Sequence, residues 1–115
     1  MEKLMLETLM EQQREHFASG ATLPVKARME ALSRLEMALQ KQEQILCKAL
    51  HTDLGKSKME SVMCEIGLVQ GEIRWMKQHL GRLCRTKHVR TPLAQFAAKS
   101  YRSPSPYGNV LIMSP

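Results

Sequence analysis

The sequence has few aromatic residues, three cysteines and no long apolar stretch among its 115 residues. Phe, Trp and Tyr make up 4% of the chain, so its nine methionines must help to fill a core. The longest unbroken apolar run is four residues, Val110 to Met113, far short of the roughly 20 that a membrane-spanning helix needs. Glu2 and Glu7 interrupt the apolar N-terminus, unlike a secretory or transit peptide. No membrane segment is expected in this part of the chain, and a cytoplasmic location is expected.

The odd number of cysteines argues against a disulfide framework. Cys47 and His51 lie four residues apart, as do Cys84 and His88. Together the two pairs contain the ligands of a Cys2His2 zinc site, but structural zinc sites have tighter spacing. No cysteine begins a predicted helix or sits in a nucleophile motif. Structural cysteines are therefore expected, with no metal site and no catalytic residue.

Acidic residues are absent after Glu72. Residues 73–115 contain eight Lys and Arg, whereas residues 1–72 contain all 11 acidic residues and nine basic ones. This asymmetry indicates an acidic partner, nucleic acid or an anionic surface, or a tail whose acidic counterpart lies elsewhere in a longer polypeptide. Residues 82–90 are basic but lack a helix-turn-helix or RNA-binding aromatic motif. No nucleic acid is expected as partner, and binding through this run is the less favoured alternative.

Apolar periodicity predicts three helices. The first spans residues 3–19 and stops at Gly20, and the second runs from Pro24 to about Leu54 and stops at Gly55. The third begins at a capping box formed by Ser57 and Glu60. It carries an apolar seam that another element must cover: Met59, Val62, Ile66, Val69, Ile73, Met76, Leu80 and Leu83. An alternative function is therefore a non-catalytic helical interaction module that docks this seam on a protein partner.

Glycine and proline positions refine this interpretation. Gly67 and Gly71 lie one turn apart in the third helix, which predicts the close approach of a neighbouring backbone. Four of the five prolines follow residue 91, where helical periodicity has ended and strand and turn signals begin. Residues 109–113 have the pattern of a strand buried on both faces of a parallel sheet. Such a strand needs neighbouring strands and covering helices, so the chain is expected to be cut from a larger fold.

Several short segments, in order, resemble the N-terminal part of an aldehyde dehydrogenase of the class 3, fatty-aldehyde dehydrogenase-like, branch. The resemblance covers nearly the whole chain and is weakest in residues 1–20. The segments that carry it are Asp53-Leu-Gly-Lys-Ser57, Glu65-Ile-Gly67, Gly71-Glu-Ile73, Thr91-Pro-Leu93, Ala98-Lys-Ser-Tyr101 and Pro106-Tyr-Gly-Asn-Val-Leu-Ile-Met-Ser-Pro115.

The resemblance implies a parent with an α/β fold. This segment would be predominantly α, with three helices followed by a β-hairpin and the first strand of an incomplete Rossmann-like parallel sheet. Residues 1–90 would form N-terminal helices of the coenzyme-binding domain, and residues 91–107 the β-hairpin of the oligomerisation region. Residues 108–115 would supply the first strand and the start of the nucleotide-binding sheet. A homodimer through the hairpin is expected.

The family oxidises aldehydes to carboxylic acids with NAD or NADP, using a cysteine nucleophile, an asparagine that holds the oxyanion and a glutamate base. By resemblance, all three lie beyond Pro115, so the 115-residue segment alone is predicted to be inactive. Met113, Ser114 and Pro115 would begin the loop that lines the coenzyme, NAD or NADP, in the full-length parent. The parent's substrate would be an aldehyde.

Overall fold

The computed structural model describes residues 2–113, which divide into two compact units. One unit combines the residues up to Ala27 with those from Arg82 onward, and the other is Arg28–Gly81. The helices are α1 (Glu2–Ala18), α2 (Val25–Lys41), α3 (Glu43–Leu54), α4 (Lys58–Ser61) and α5 (Gly67–Leu83). A π-helical turn, Val62–Ile66, joins α4 to α5, and strands β1 (Lys87–Val89) and β2 (Ser100–Arg102) follow.

The second predicted helix is two helices in the structure. Gln42 has φ −100° and ψ 9°, outside the helical range, and it separates α2 from α3. No proline or glycine lies there, so the sequence gives no sign of the break. The predicted end at Gly55 is confirmed, because this glycine has φ +67° and its N–H donates to the His51 carbonyl. A side chain would be strained at that positive φ.

The capping box at the start of the third predicted helix is confirmed. The Ser57 hydroxyl accepts from the Glu60 N–H at 3.2 Å, and the Glu60 carboxylate accepts from the Ser57 N–H at 2.8 Å. These bonds satisfy two amide groups that a helix start leaves without partners. The backbone hydrogen bond from Ser57 is also the main cause of the lowered pKa of Glu60.

The π turn explains why position 67 is a glycine. Its N–H donates to the Val62 carbonyl five residues earlier, and a Cβ placed at Gly67 would lie 2.6 Å from that oxygen. The expectation of a neighbouring backbone is therefore wrong here, because the close contact comes from the preceding turn of the same helical run. At Gly71, nothing in the described part of the chain lies within 4 Å of the position that a Cβ would take.

The core of the Arg28–Gly81 unit lies along α5 and the π turn. Ile66, Ile73 and Leu80 recur every seven residues and are 4–8% exposed, while Cys47 of α3 is also buried. Ser61 is completely buried, and its hydroxyl donates to the Ser57 carbonyl at 2.9 Å. Burial of both Ser61 and Ile66 depends on the π turn, since residues five apart in a regular α-helix point about 140° apart.

The predicted seam is only partly covered. Val62 and Met76 are half-buried, whereas Met59 is 71% exposed and Val69 and Leu83 are each 45% exposed. Burial along the seam thus follows the seven-residue repeat of Ile66, Ile73 and Leu80, and the positions between and beyond them stay open. The seam therefore has apolar surface to offer a further element.

Strands β1 and β2 pair antiparallel, with Lys87 opposite Arg102, His88 opposite Tyr101 and Val89 opposite Ser100. A hydrogen bond of 2.9 Å between the hydroxyls of Thr86 and Ser103 extends the ladder. The first strand therefore precedes residue 91, and the predicted hairpin boundary falls inside the connecting loop. That boundary came from the resemblance to the family and not from the pairing of strands.

Residues 109–113 are not part of a strand in this structure, so the strand predicted from their apolar pattern is not confirmed. Val110 is 66% exposed, and the next three residues are 81–86% exposed. A strand needs a neighbour to pair its backbone N–H and C=O groups, and the ladder described in residues 2–113 is β1 with β2 only. The first strand of a Rossmann-like sheet is thus not formed here.

Candidate functional site

The expected coenzyme loop is only partly described. Met113 is 86% exposed, and Ser114 and Pro115 lie outside the described residues. A dinucleotide site is concave and encloses most of its ligand, and a side chain as exposed as Met113 is not part of such an enclosure. The described residues therefore do not enclose Met113.

The turn that leads into this loop lies close to α1. Gly108 has φ +92°, and a Cβ placed there would lie 3.8 Å from the Phe17 ring. Phe17 is half-buried, whereas Tyr107 is 98% exposed. Gly108 thus lies beside Phe17 of α1, and the four apolar residues Val110–Met113 that follow are exposed. An exposed apolar run of this kind marks an interaction surface.

A small cleft lies where α3 meets the loop before α4. Its volume is about 310 Å³, and it is lined by Gln44, Cys47, Lys48, His51, Lys56 and Lys58. The Lys56 ammonium forms an ion pair with the Glu65 carboxylate of the π turn. The hydrogen bond to Glu65 is the main reason that the pKa of Lys56 is raised. This pair ties the interhelical loop to the π turn.

The chemistry of the cleft is limited by how its groups are already used. The His51 ring Nδ1 lies 3.1 Å from the Lys56 carbonyl, to which it can only donate. Cys47 is buried within α3 rather than at a helix N-terminus, the position that would stabilise a thiolate. Among residues 2–113, no three His, Cys, Asp or Glu side chains are placed to hold a metal ion. We therefore interpret the cleft as a structural junction between α3 and the loop before α4.

The hairpin contains a pair of residues that sequence reasoning missed. The rings of His88 and Tyr101 face each other across the strands, with centroids 5.3 Å apart and planes at 88°. The two residues are 13 positions apart, and only the strand register brings them together. The sequence shows which side chains alternate along each strand, but it does not give the register between the two strands that brings this pair together.

Comparisons with known proteins define the class. The chain is 39% identical over 99 residues to 4,4'-diaponeurosporen-aldehyde dehydrogenase of Staphylococcus aureus, which covers 86% of the chain and 22% of that protein. It is 34% identical over 108 residues to 4,4'-diapolycopene-4,4'-dial dehydrogenase of Cytobacillus firmus, covering 94% of the chain and 24% of the relative. Aldehyde dehydrogenase family 3 member F1 of Arabidopsis thaliana is 32% identical over 112 residues, 97% of the chain and 23% of that protein. No family model matches the chain.

The fold agrees with these sequence matches. A solved structure of the substrate-bound state of Staphylococcus aureus AldH superposes with a TM-score of 0.86 and 34% identity, over 89% of this chain and 22% of that one. The chain therefore matches the aldehyde dehydrogenases in both sequence and fold, and its matches include family 3 members. It spans a little over a fifth of the length of these relatives, which fits an N-terminal segment. No helix within residues 2–113 is long and apolar enough to cross a membrane.

Proposed function

We propose that this chain forms the N-terminal part of an NAD(P)-dependent aldehyde dehydrogenase that oxidises an aldehyde to a carboxylic acid. The observation that carries the proposal is the structural match, with a TM-score of 0.86 over 89% of the chain at 34% identity. The segment would build part of the coenzyme-binding domain, while the nucleophile, the oxyanion donor and the base come from sequence outside these 115 residues. The chain by itself would have no dehydrogenase activity.

The exposed C-terminal run supports a role at the nucleotide-binding sheet. Val110–Met113 is apolar, 66–86% exposed and without a strand partner, which suits the first strand of a parallel sheet that other residues complete. Met113, Ser114 and Pro115 would then begin the coenzyme loop at the carboxyl end of that strand, where open α/β sheets bind their ligands.

The hairpin supports a role in oligomerisation. Its connecting loop presents Leu93 and Phe96 at 85% and 86% exposure, and the strand residues other than Ser100 are exposed. Large exposed apolar side chains flanked by polar ones are typical of protein–protein interfaces. Residues 91–107 would therefore contribute to a homodimer of the complete enzyme.

A chimera tests the proposal directly. The matching fifth of the Staphylococcus aureus relative is replaced by this chain, and formation of reduced nicotinamide coenzyme from an aldehyde is followed by absorbance. An active, folded chimera is expected. As a matched control, the chimera with Ile73→Asp loses activity because a charge replaces a side chain that is 4% exposed. A soluble, folded chimera without activity would contradict the proposed role.

The purified 115-residue chain is assayed in parallel with NAD, with NADP and with the same aldehyde. No coenzyme reduction above the uncatalysed rate is expected. Aldehyde-dependent formation of NADH by the chain alone would show that catalytic groups lie within it, contrary to the proposal.

A further inference from the structure

Three cations line the cleft between α3 and the loop before α4. They are Lys48, Lys56 and Lys58, which border a volume of about 310 Å³. Among the lining residues that the structure describes, none is Asp or Glu. A cleft lined by charges of one sign concentrates the electrostatic potential and raises the local concentration of ions of the opposite sign. The lining therefore points to an anion.

The two walls of this cleft are held in place by the local fold. Positions 44, 47, 48 and 51 follow the i, i+3, i+4, i+7 spacing of one helix face, and they form the α3 wall. The other wall contains Lys56 and Lys58. The ring Nδ1 of His51 donates to the Lys56 carbonyl at 3.1 Å and joins the two walls. A site whose walls are already joined loses little further conformational freedom when a ligand binds.

Two of the three ammonium groups are free to meet a ligand. In the part of the chain that the structure describes, the ion pairs include neither Lys48 nor Lys58, and both residues are exposed. Lys56 is less exposed and pairs with the Glu65 carboxylate. Three ammonium groups against this one carboxylate leave the cleft with a surplus of two positive charges. Like charges around one cleft repel one another, and an anion that enters would relieve that repulsion.

The size of this surplus selects the kind of anion. A phosphate monoester carries about −1.5 to −2 charge at pH 7 and three oxygens that accept hydrogen bonds, whereas a carboxylate or a phosphate diester carries a single charge. Lysine binds phosphate as a point charge. The cleft also lies at the lower end of the roughly 300–1,000 Å³ range of small-molecule sites, so it suits a phosphate with few further atoms. A nucleic-acid strand, whose phosphates are diesters, matches the cleft less well.

We propose that this cleft binds a small phosphate monoester, with the ammonium groups of Lys48, Lys56 and Lys58 contacting the phosphate oxygens. The inference does not depend on the proposed enzymatic role, because the lining residues all lie in the Arg28–Gly81 unit and the coenzyme loop is assigned to other residues. It assigns binding to the cleft and no reaction, in keeping with the structural roles of Cys47 and His51.

Titration of the purified, isotope-labelled chain with glycerol 3-phosphate tests the proposal by NMR, with sodium chloride keeping the ionic strength constant. Amide shifts that saturate as a single site are expected within residues 44–58. Dimethyl phosphate and acetate, each with one negative charge, are expected to bind at least about 5-fold more weakly, since each loses one charge interaction. Equal affinity for glycerol 3-phosphate and the two monoanions would overturn the proposal. So would shifts that grow without saturating across the basic residues 82–102.

A charge-matched pair of double variants locates the site. Lys48→Gln with Lys58→Gln removes two exposed cations and is expected to weaken glycerol 3-phosphate binding about 10-fold. Arg34→Gln with Lys41→Gln, exposed on α2, removes the same charge from positions that do not line the cleft. It is expected to change the affinity less than about 2-fold. An equal loss in both double variants would show that binding follows net charge and not this cleft.

The chimera with the Staphylococcus aureus relative makes the test independent of how well the isolated chain folds. Glycerol 3-phosphate is expected to raise its melting temperature, and Lys48→Gln with Lys58→Gln in the chimera is expected to reduce that rise. A folded chimera in which these substitutions leave the rise unchanged would overturn the proposal. A phosphoserine peptide that binds more than about 10-fold tighter than glycerol 3-phosphate would assign the cleft to a phosphorylated protein instead. An inactive chimera that shows the expected responses would support this site and count against the proposed function alone.

Discussion

At Gly67, the space available to a side chain is set by the Val62 carbonyl. Because a Cβ there would lie 2.6 Å from this backbone oxygen, Gly67→Ala forces the π turn to shift. We expect the free energy of unfolding to fall by about 1–3 kcal/mol, the usual cost of overpacking. Gly71→Ala is the matched control, since its Cβ meets nothing within 4 Å in the described chain, and a gain of up to about 1 kcal/mol is expected. Urea denaturation measures both, and the same sign for the two variants would contradict this account.

Glu36 links α2 to α5 and makes stability depend on pH. Its carboxylate lies 3.0 Å from the Lys77 Nζ and 3.4 Å from the Arg74 Nε. The hydrogen bond from Lys77 is the main reason that the pKa of Glu36 is lowered from 4.5, with Arg74 contributing. A lowered pKa in the folded state stabilises the fold at higher pH, and this stabilisation is lost as the pH falls through the folded-state value.

We therefore expect Glu36→Gln to lower the melting temperature at neutral pH and to flatten its decline below about pH 4.5. The lowered pKa of Glu60 leaves part of the decline in place. Melting curves against pH for Glu36→Gln, the unaltered chain and Glu72→Gln, an exposed carboxylate on α5, provide the measurement. Parallel curves for the chain and Glu36→Gln would show that the contacts to Lys77 and Arg74 contribute nothing in solution.

At the scale of elements, the capping box fixes where the longest helical run begins. Ser57→Ala removes the acceptor for the Glu60 N–H, and we expect a loss of about 1 kcal/mol in the free energy of unfolding. Ser57→Thr keeps a hydroxyl at the same position and should restore most of it. Chemical denaturation of the three chains decides this, and an Ala variant as stable as the Thr variant would show that the cap is not needed.

Local signals predicted the helix starts and stops because each has a short-range cause. Gly55 and the Ser57–Glu60 box act within one turn, so the sequence contains the whole explanation. The break at Gln42 and the π turn at Val62–Ile66 have no such local marker in the sequence. The pairing of His88 with Tyr101 was equally inaccessible, because strand register depends on contacts between distant residues.

For the whole molecule, the main feature is how much apolar surface is left open. Among the described residues, four apolar side chains are buried, whereas Val110–Met113 and much of α1 are exposed. The predicted role of Met113 at the coenzyme could not be assigned to a pocket, because the described residues leave Met113 exposed to solvent. The family, by contrast, was predicted correctly from short segments in a characteristic order.

We expect charges introduced into the exposed run Val110–Met113 to be favourable in the isolated chain and harmful in the chimera. Val110→Lys with Ile112→Lys should reduce self-association of the isolated chain, because charges oppose the pairing of exposed apolar strands. In the chimera the same change should abolish activity, since two charges would enter the sheet interior. Sedimentation velocity and the coenzyme assay provide the readouts, with Gln13→Lys and Gln40→Lys, both at exposed positions, as control. Full chimera activity would place the run outside the sheet.

The π turn also affects how this chain should be compared with other proteins. A π turn holds one residue more than the α-helical turn it replaces, so everything after Ile66 is advanced by one position relative to a regular helix. A homologue whose helix is α-helical throughout will align correctly only with a one-residue gap between Val62 and Ile66. An ungapped alignment would match Ile73 and Leu80 to the wrong positions and assign buried residues to the solvent side.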